Sequence, residues 1–563
     1  MRAPVQIQTS SSDFPQFIED GSYYVDKTLL VQEIVEQNRQ VALYTRPRRF
    51  GKSLNQSMLQ AFFNVQTAAQ YEHLFDGLAI SQNKELCEKH QGKYPVIKLS
   101  FARACTNSFD NNSLKIAKCI QDAIYAYSDV ILNADAAVYP RVNVLRDFIC
   151  AKLPLLEDSD ILLSFSEFLH KHYGQKCVIL LDEYDVPLQH AFLNGYYDEM
   201  MNLMRPLMTS TFKDNPHLRW GVITGYLKIA QESIFTGLNN PYVNTILTNN
   251  IGDEFFGFTQ AEVDELLRAA ELSDCGSIVK QWYDGYLFGN KEVYNPFSVV
   301  NFVAATLDAG EPQPLSFWAN TSGNDIIRRM LTLTPDDGAQ DALQTLIDGE
   351  SVTLPIVENT VFREMDNDPA SLWSTMLFTG YLKPAEPVPP GAKAALMVLP
   401  NNEVRDLIET IIIRWLREDF RPQVTPLMEA FLKGDAETAQ EQLNLHLDET
   451  ISCRDSLESY YHGFLTGLLA AARGKYRAVS NFELGDGYPD IQIGALDNSA
   501  IAVLEVKHTS DASKLTTVLD EAEKQFRSRR YDKPRQRYGT FHGYAVAFCR
   551  KQCLVRSIED AGI

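Results

Sequence analysis

The segment Val41–Ser53, VALYTRPRRFGKS, constrains the fold of this chain more than any other. Val41, Ala42, Leu43 and Tyr44 form an apolar run suited to a buried strand. A tight basic loop follows, and Gly51-Lys52-Ser53 leads into LNQSMLQAFF, apolar at Leu54, Met58, Leu59 and Phe62, as in a helix. Strand, loop and helix in that order make a phosphate-binding loop. Backbone N–H groups and the positive helix end cradle phosphates, the Lys reaches the β and γ oxygens, and the Ser hydroxyl ligates Mg²⁺. The full pattern has Gly five residues before Gly51, where this chain has Arg46. A G-K-S tripeptide alone also fits a basic surface turn; the flanking strand and helix favour the phosphate loop.

A phosphate loop needs a sheet and an acidic partner. Cys177–Asp185, CVILLDEYD, contains the continuous apolar run of a strand buried on both faces. It ends in Asp182-Glu183, at the strand end where open α/β sheets bind ligands. Asp182 is placed to hold Mg²⁺, and Glu183 to polarise the attacking water. Tyr94–Phe101 and Trp220–Tyr226 read as further strands, with helical periodicity over 112–135 and 140–173 between them. This alternation predicts a parallel, doubly wound sheet. Thr224-Gly225 stays open between a γ-phosphate contact and a turn with a satisfied Thr.

The chain has 563 residues, enough for two to four domains. Its 45% hydrophobic and 22% charged residues are those of a soluble globular protein. No apolar run is long enough to span a bilayer, and MRAPVQIQTSSSDF lacks the apolar core of a secretory signal. The nine cysteines are scattered without zinc spacing, which fits reduced thiols in the cytoplasm. A formal net charge of −21 repels nucleic acid on average, so any such contact needs a local basic patch.

The second chemical site lies near the C-terminus. Ser456–Arg473 reads as a helix and Lys475–Phe482 as a strand. Asp490–Ile493 and Ile501–Lys507 then form two strands around a turn. Alternation puts Glu505 and Lys507 on one side, and a hairpin brings Asp490 beside Glu505. Two carboxylates and the Val506 carbonyl suit Mg²⁺ or Mn²⁺, and Lys507 is placed to orient or deprotonate a water. The plainer reading is a surface hairpin with a Glu/Lys pair; the apolar approach IAVL argues against it. Lys524, Arg527, Arg529, Arg530, Lys533, Arg535 and Arg537 make the densest basic run, as a phosphate-tracking surface requires. Tyr544–Phe548 is a last core strand.

Between the two sites, residues 258–385 are helical and aromatic-rich. Trp282-Tyr283-Asp284-Gly285-Tyr286 reads as packed core in preference to a base-stacking platform, because no basic residues interleave. PAEPVPP, Pro384–Pro390, is linker-like, and Asn402–Phe420 an amphipathic helix.

YYVDKT, TRPRRFGKS, LLDEYDVPL, TGYLKIAQESIFTGLNNP, GFTQAEVDELL, WYDGYLFGNKEVYNPFSV and FWANTSGN together resemble the AAA-ATPase-like family of microbial proteins, which typically carry a C-terminal PD-(D/E)XK nuclease-superfamily domain. The resemblance implies that Arg46, Pro47, Arg48, Arg49, Phe50, Gly51, Lys52 and Ser53 are the family's phosphate loop, and that Asp182 and Glu183 are its Walker B pair. It assigns no arginine finger; Lys228, Arg46, Arg48 and Arg49 are candidates. In the C-terminal domain, Asp490, Glu505, Val506 and Lys507 match the PD-(D/E)XK pattern. The resemblance adds Glu458 to the metal shell and makes Gln525 a phosphate or water contact. Tyr531 falls at the end of the helix motif, and Tyr488 stands where the family often has Arg.

The fold expected is α/β: a P-loop NTPase parallel sheet with a helical lid, then a small restriction-endonuclease-like α/β domain. The divisions expected are 1–260, 261–440 and 441–563. The function expected is ATP hydrolysis, with Mg²⁺, coupled to metal-dependent cleavage of DNA or RNA, without a membrane. The alternative is a nucleotide-driven switch whose nuclease-like domain binds without cutting. Homo-oligomerisation is left open.

Overall fold

The computed structural model describes residues 5–37, 39–152, 156, 158–227, 241–248, 251–318, 342–343, 345–358, 368–408, 424–450, 476–480, 489–495, 499–509, 511–529, 531, 539–549 and 552–558. It divides into two compact units, Met1–Pro335 with Thr345–Leu407, and Asp336–Gln344 with Ile408–Ile563. Among the described residues no helix is long and apolar enough to cross a membrane.

The first unit is built on strands β1 (Val41–Thr45), β2 (Val96–Ser100), β3 (Cys177–Asp182), β4 (Leu218–Gly225) and β5 (Tyr242–Asn244). They form one parallel sheet in the order β2-β3-β4-β1-β5. Every residue of β1 and β3 is buried, as expected for strands covered by helices on both faces. Leu43 pairs with Ile223, and Ile223 with Leu181. That register aligns the C-terminal ends of β1, β4 and β3. Asp182 and Thr224 therefore reach the edge where the phosphate loop leaves β1, with β4 lying between.

After β5, strands β6 (Tyr286–Phe288) and β7 (Lys291–Val293) form a hairpin. Around them Leu266, Val279, Tyr283, Tyr294, Phe302 and Val303 close a separate apolar cluster. Tyr283 and Tyr286 are buried, so this aromatic stretch is core. Lys27 of the YYVDKT stretch ties to this region through Glu262 at 2.6 Å, and Glu262 also closes a capping box with Thr259. Strands β8 (Val352–Pro355), β9 (Lys383–Pro384) and β10 (Ala394–Val398) form a small antiparallel sheet. The linker expected at Pro384–Pro390 is instead part of the β9–β10 hairpin. The proline-rich composition reflects a loop that donates few backbone hydrogen bonds. Asn402–Phe420 is described only to Ile408, and that part is helical.

The second unit holds β11 (Tyr476–Ser480), β12 (Ile491–Ala495), β13 (Ala500–His508), β14 (Thr540–Cys549) and β15 (Gln552–Ser557). Their order is sequential, and β13–β14 is the parallel pair in an otherwise antiparallel sheet. Strand alternation sorts β13 between two layers. Ala502, Leu504 and Val506 pack with the helices Val424–Lys433 and Ala436–Thr450 through Leu427, Phe431 and Leu443. The first of these helices had been placed with the connector. Ile501 and Val503 face the helix Leu515–Ser528 through Phe526. A Cβ at Gly543 would lie 2.6 Å from the Phe526 ring, so β14 accepts this helix by having no side chain there. The helix expected at Ser456–Arg473 lies outside the described residues. The strand β15 had not been anticipated.

Candidate functional site

The phosphate loop leaves β1 and turns into the helix Lys52–Phe63 through Gly51, at φ 80°. That left-handed value favours glycine and aims the helix N-terminus at the loop. Arg49 also takes a left-handed φ, 69°. Lys52 is 3% exposed and donates to the Arg46 and Pro47 carbonyls, both at 3.0 Å. Its Nζ lies 3.6 Å from Glu183 Oε1.

Ser53 Oγ donates to Asp182 Oδ2 at 2.5 Å, and Thr224 Oγ1 to Asp182 Oδ1 at 2.6 Å. Thr224 also accepts from Gln56 Nε2 at 3.3 Å, which fits the satisfied Thr. Burial, and then the neighbouring Glu183 carboxylate, pushes the Asp182 carboxyl above its ordinary range. Glu183 itself has φ 54° and is partly exposed, its carboxylate turned towards Lys52. A hydroxyl and a carboxylate oxygen in contact beside a lysine form a hard-oxygen donor set that fits Mg²⁺.

The loop's arginines separate in role. Arg46 is fully buried; its guanidinium donates to the Asn244 carbonyl at 3.1 Å and Oδ1 at 2.6 Å, and meets Asp253 at 3.4 Å. It also lies over the Phe256 and Phe288 rings at 5.3 and 4.9 Å. The expected nucleotide contact by this side chain is therefore corrected: Arg46 anchors the loop to the core. Phe50 is similar, 1% exposed against Tyr286 and Phe288, so what it can offer a phosphate is its backbone N–H. Arg48 lies over the Tyr226 ring at 5.1 Å and donates to Gln189 Oε1 at 3.1 Å. Arg49 is exposed and lies over Phe297 at 4.5 Å. Lys228 is outside the described residues.

A cavity of about 550 Å³ opens on this loop. Its lining includes Arg48, Arg49, Gly51, Lys52, Ser53 and Glu183 together with the rings of Tyr23, Tyr24, Phe258 and Phe297. A lining of cationic groups, loop backbone and aromatic rings offers both charged and apolar contacts to a ligand.

Sequence reasoning passed over Asp185. It is fully buried, and its Oδ2 accepts from the Tyr226 and Leu227 N–H groups at 2.8 and 2.9 Å. Burial, then Glu183, raises its carboxyl to about 7. The available signal was a second acid at the end of the LLDEYD run.

In the second unit, Ile491 pairs with Leu504, which sets Asp490 opposite Glu505. Asp490 Oδ2 accepts the Val506 N–H at 2.7 Å. Glu505 is 0% exposed, and Lys507 Nζ lies 3.4 Å from its Oε1. Ala545 and Ala547 of β14 pair with Glu505 and Lys507, placing only methyl groups alongside them. Tyr531 is buried, and its hydroxyl is raised to about 12 by burial, then by Glu505 and Asp490, with Gln525 acting in the opposite direction. Asp490, Glu505, Lys507, Gln525 and Tyr531 thus gather on the face of the sheet that meets the helix Leu515–Ser528. Among the described residues no three His, Cys, Asp or Glu side chains cluster. The donor set here is two adjacent carboxylates, Asp490 and Glu505, with the carbonyl of Val506, the residue after Glu505, which fits Mg²⁺ or Mn²⁺. Glu458 and Tyr488 lie outside the described residues. Of the basic run, Lys524, Arg527 and Arg529 are described and exposed. Arg527 is engaged by Glu523 at 2.9 Å.

Residues 8–235 match the family model described as predicted AAA-ATPase, AAA-ATPase-like. Residues 456–557 match the PD-(D/E)XK nuclease superfamily. The chain is also similar to a curated protein of Azotobacter chroococcum mcd 1, described as "Uncharacterized protein in vnfD 5'region". The two are 29% identical over 308 residues, 53% of this chain and 51% of the relative. The chain thus matches about half the length of that relative.

Proposed function

We propose that this chain, an AAA-ATPase-like domain followed by a PD-(D/E)XK nuclease-superfamily domain, hydrolyses ATP and couples nucleotide state to metal-dependent phosphodiester cleavage of nucleic acid. The observation that carries the reading is the convergence of Asp490, Glu505 and Lys507 on one sheet face, with Asp490 held by the Val506 N–H. A binding surface needs no lysine at that spacing from two acids.

In the ATPase domain, Lys52 and the N–H groups of the loop from Arg48 to Ser53 bind the β and γ phosphates. Ser53 and Asp182 would hold Mg²⁺, and Glu183 orients and deprotonates the attacking water. Arg48 and Arg49 are the loop cations left to face a phosphate. In the nuclease domain, Asp490, Glu505 and the Val506 carbonyl would hold the divalent ion. Lys507 orients a water towards phosphorus and stabilises the charge that develops. Gln525 positions a phosphate or water. A bound divalent ion supplies charge neutralisation at a phosphate oxygen and acidifies water. ATP hydrolysis belongs to the unit Met1–Pro335 with Thr345–Leu407, cleavage to the unit that includes the helix Val424–Lys433, and the protein acts in the cytoplasm.

The test is cleavage of double-stranded DNA, single-stranded DNA and RNA with Mg²⁺ or Mn²⁺, with and without ATP. Metal-dependent cutting that disappears in Asp490→Ala/Glu505→Ala supports the reading and names the substrate. ATP hydrolysis with no cutting of any substrate favours a nucleotide-driven switch whose C-terminal domain binds nucleic acid or a partner.

A further inference from the structure

We propose that Asp185 is a positioning residue for ATP hydrolysis. It fixes the chain leaving β4 against the Glu183 loop and, through the Tyr226 ring, fixes Arg48 of the phosphate loop. The inference rests on the ATPase reading above.

Two segments are stitched together here, the one after β3 and the one after β4. Thr224 Oγ1 donates to Asp182 Oδ1 at 2.6 Å, and the Tyr184 N–H to the Thr224 carbonyl at 3.2 Å. Asp185 Oδ2 takes both the Tyr226 and Leu227 N–H groups, and Tyr184 Oη donates to the Leu227 carbonyl at 2.6 Å. Backbone groups just past a strand end have no ladder partner, so a buried side chain must satisfy them. Asp185 does this with an oxygen fixed by its own burial.

Gly225 carries the marks of this fit. A Cβ there would lie 2.6 Å from the Tyr184 ring and 2.8 Å from Asp185 Oδ1. The strand end is open to admit both side chains. The Gly225 carbonyl in turn accepts the Arg46 N–H at 3.0 Å, so the same residue tethers the start of the phosphate loop.

The circuit closes through Arg48. Tyr226 is 1% exposed, and the Arg48 guanidinium lies 5.1 Å from its ring centroid. Arg48 also donates to Gln189, on the helix Val186–Asn194 that starts directly after Asp185. Asp185 therefore sets the height of the Tyr226 ring, and Tyr226 and Gln189 together set the plane of Arg48. Asp185 is fully buried and is not part of the lining of the cavity on the phosphate loop. It acts by holding Glu183 and Arg48 in one frame, where small displacements reduce rate more than affinity.

The experiment uses full-length protein. It measures steady-state ATP hydrolysis, binding of a fluorescent ATP analogue with Mg²⁺, and thermal melting. The variants are Lys52→Ala, Asp185→Asn, Tyr226→Leu and the Asp185→Asn/Tyr226→Leu pair. Expected for Asp185→Asn and for Tyr226→Leu are a kcat lowered at least about tenfold and analogue affinity within about threefold, with a double variant no slower than the worse of the two, since linked residues are not additive; Lys52→Ala is the control that abolishes hydrolysis. Tyr226→Leu leaves the Asp185 hydrogen bonds in place, so it reads the circuit even where Asp185→Asn folds poorly. Wild-type hydrolysis abolished by Lys52→Ala, with kcat unchanged in Asp185→Asn or with losses that multiply in the pair, overturns the positioning role alone. Absence of any Lys52-dependent hydrolysis in the wild type overturns the ATPase reading, and this proposal with it.

Discussion

Asp490 Oδ2 accepts the backbone N–H of Val506 at 2.7 Å, across the β12–β13 hairpin. This bond fixes the carboxylate beside Glu505 before any metal or substrate arrives. Two effects can therefore be separated by substitution. Asp490→Asn keeps a hydrogen-bond acceptor and is expected to fold normally, while metal-dependent cleavage falls by about 100-fold or more. Asp490→Ala also strips the Val506 N–H of its partner and is expected to lower stability by a further ~1–3 kcal/mol. Urea unfolding alongside a cleavage assay checks both. Equal stability for Asn and Ala would mean that the bond does not hold the site.

Lys52 and Glu183 stand 3.6 Å apart, and their roles are expected to separate on substitution. Lys52→Ala removes the cation that the proposed function assigns to the β and γ phosphates, so nucleotide binding is expected to be lost. Glu183→Gln is expected to keep binding and, by removing the proposed general base, to lower hydrolysis by about 100-fold or more. Binding of a fluorescent ATP analogue with a phosphate-release assay distinguishes them. A Glu183→Gln protein that still hydrolyses ATP at the wild-type rate would assign the base elsewhere.

What could be read from the sequence followed the range of each interaction. The strands at Val41, Cys177 and Trp220 were legible because burial on both faces writes itself as a continuous apolar run. Asp182 and Glu505 were legible because each acid ends or interrupts such a run. Arg46 was misread because its neighbours are a basic loop, while its partners Asn244 and Asp253 lie about 200 residues away. Pro384–Pro390 looked like a linker because composition does not show that β9 and β10 pair around it. Asp185 went unnoticed because its partners, the Tyr226 and Leu227 N–H groups, are backbone and leave no residue signature.

The buried position of Arg46 has a consequence for stability. Its cation sits between Asn244 and the fully buried Asp253. Arg46→Met is expected to destabilise the first unit by ~3–5 kcal/mol, because it removes a cation from beside a buried carboxylate. Analogue affinity, measured at a temperature where the variant is folded, is expected to stay within about threefold of the wild type. A stable variant with no affinity would return Arg46 to the phosphate site. Chemical denaturation and analogue titration on the same preparation decide the matter.

Glu403 gives the first unit a pH dependence. The residue is 0% exposed, and its Oε1 accepts from Trp318 N–H at 2.9 Å and Ser298 Oγ at 3.0 Å. Burial raises its carboxyl from 4.5 to about 7; the Trp318 and Ser298 bonds oppose this, and Asp406 adds to it. Tyr283 and Tyr286 also sense its charge. The folded value lies above the unfolded one, so between them the native state holds a proton that the unfolded chain has released. The contribution is complete below pH 4.5 and is lost as pH rises through about 7. Its ceiling is ~3 kcal/mol. Urea midpoints are therefore expected to fall from pH 5 to pH 8. Glu403→Gln is expected to flatten that fall by about one proton's worth, not abolish it. Glu33, also raised by burial to about 7, acts with the same sign and remains in the variant. An unchanged slope in Glu403→Gln would show that the native state carries this glutamate ionised and compensates it through its hydrogen bonds.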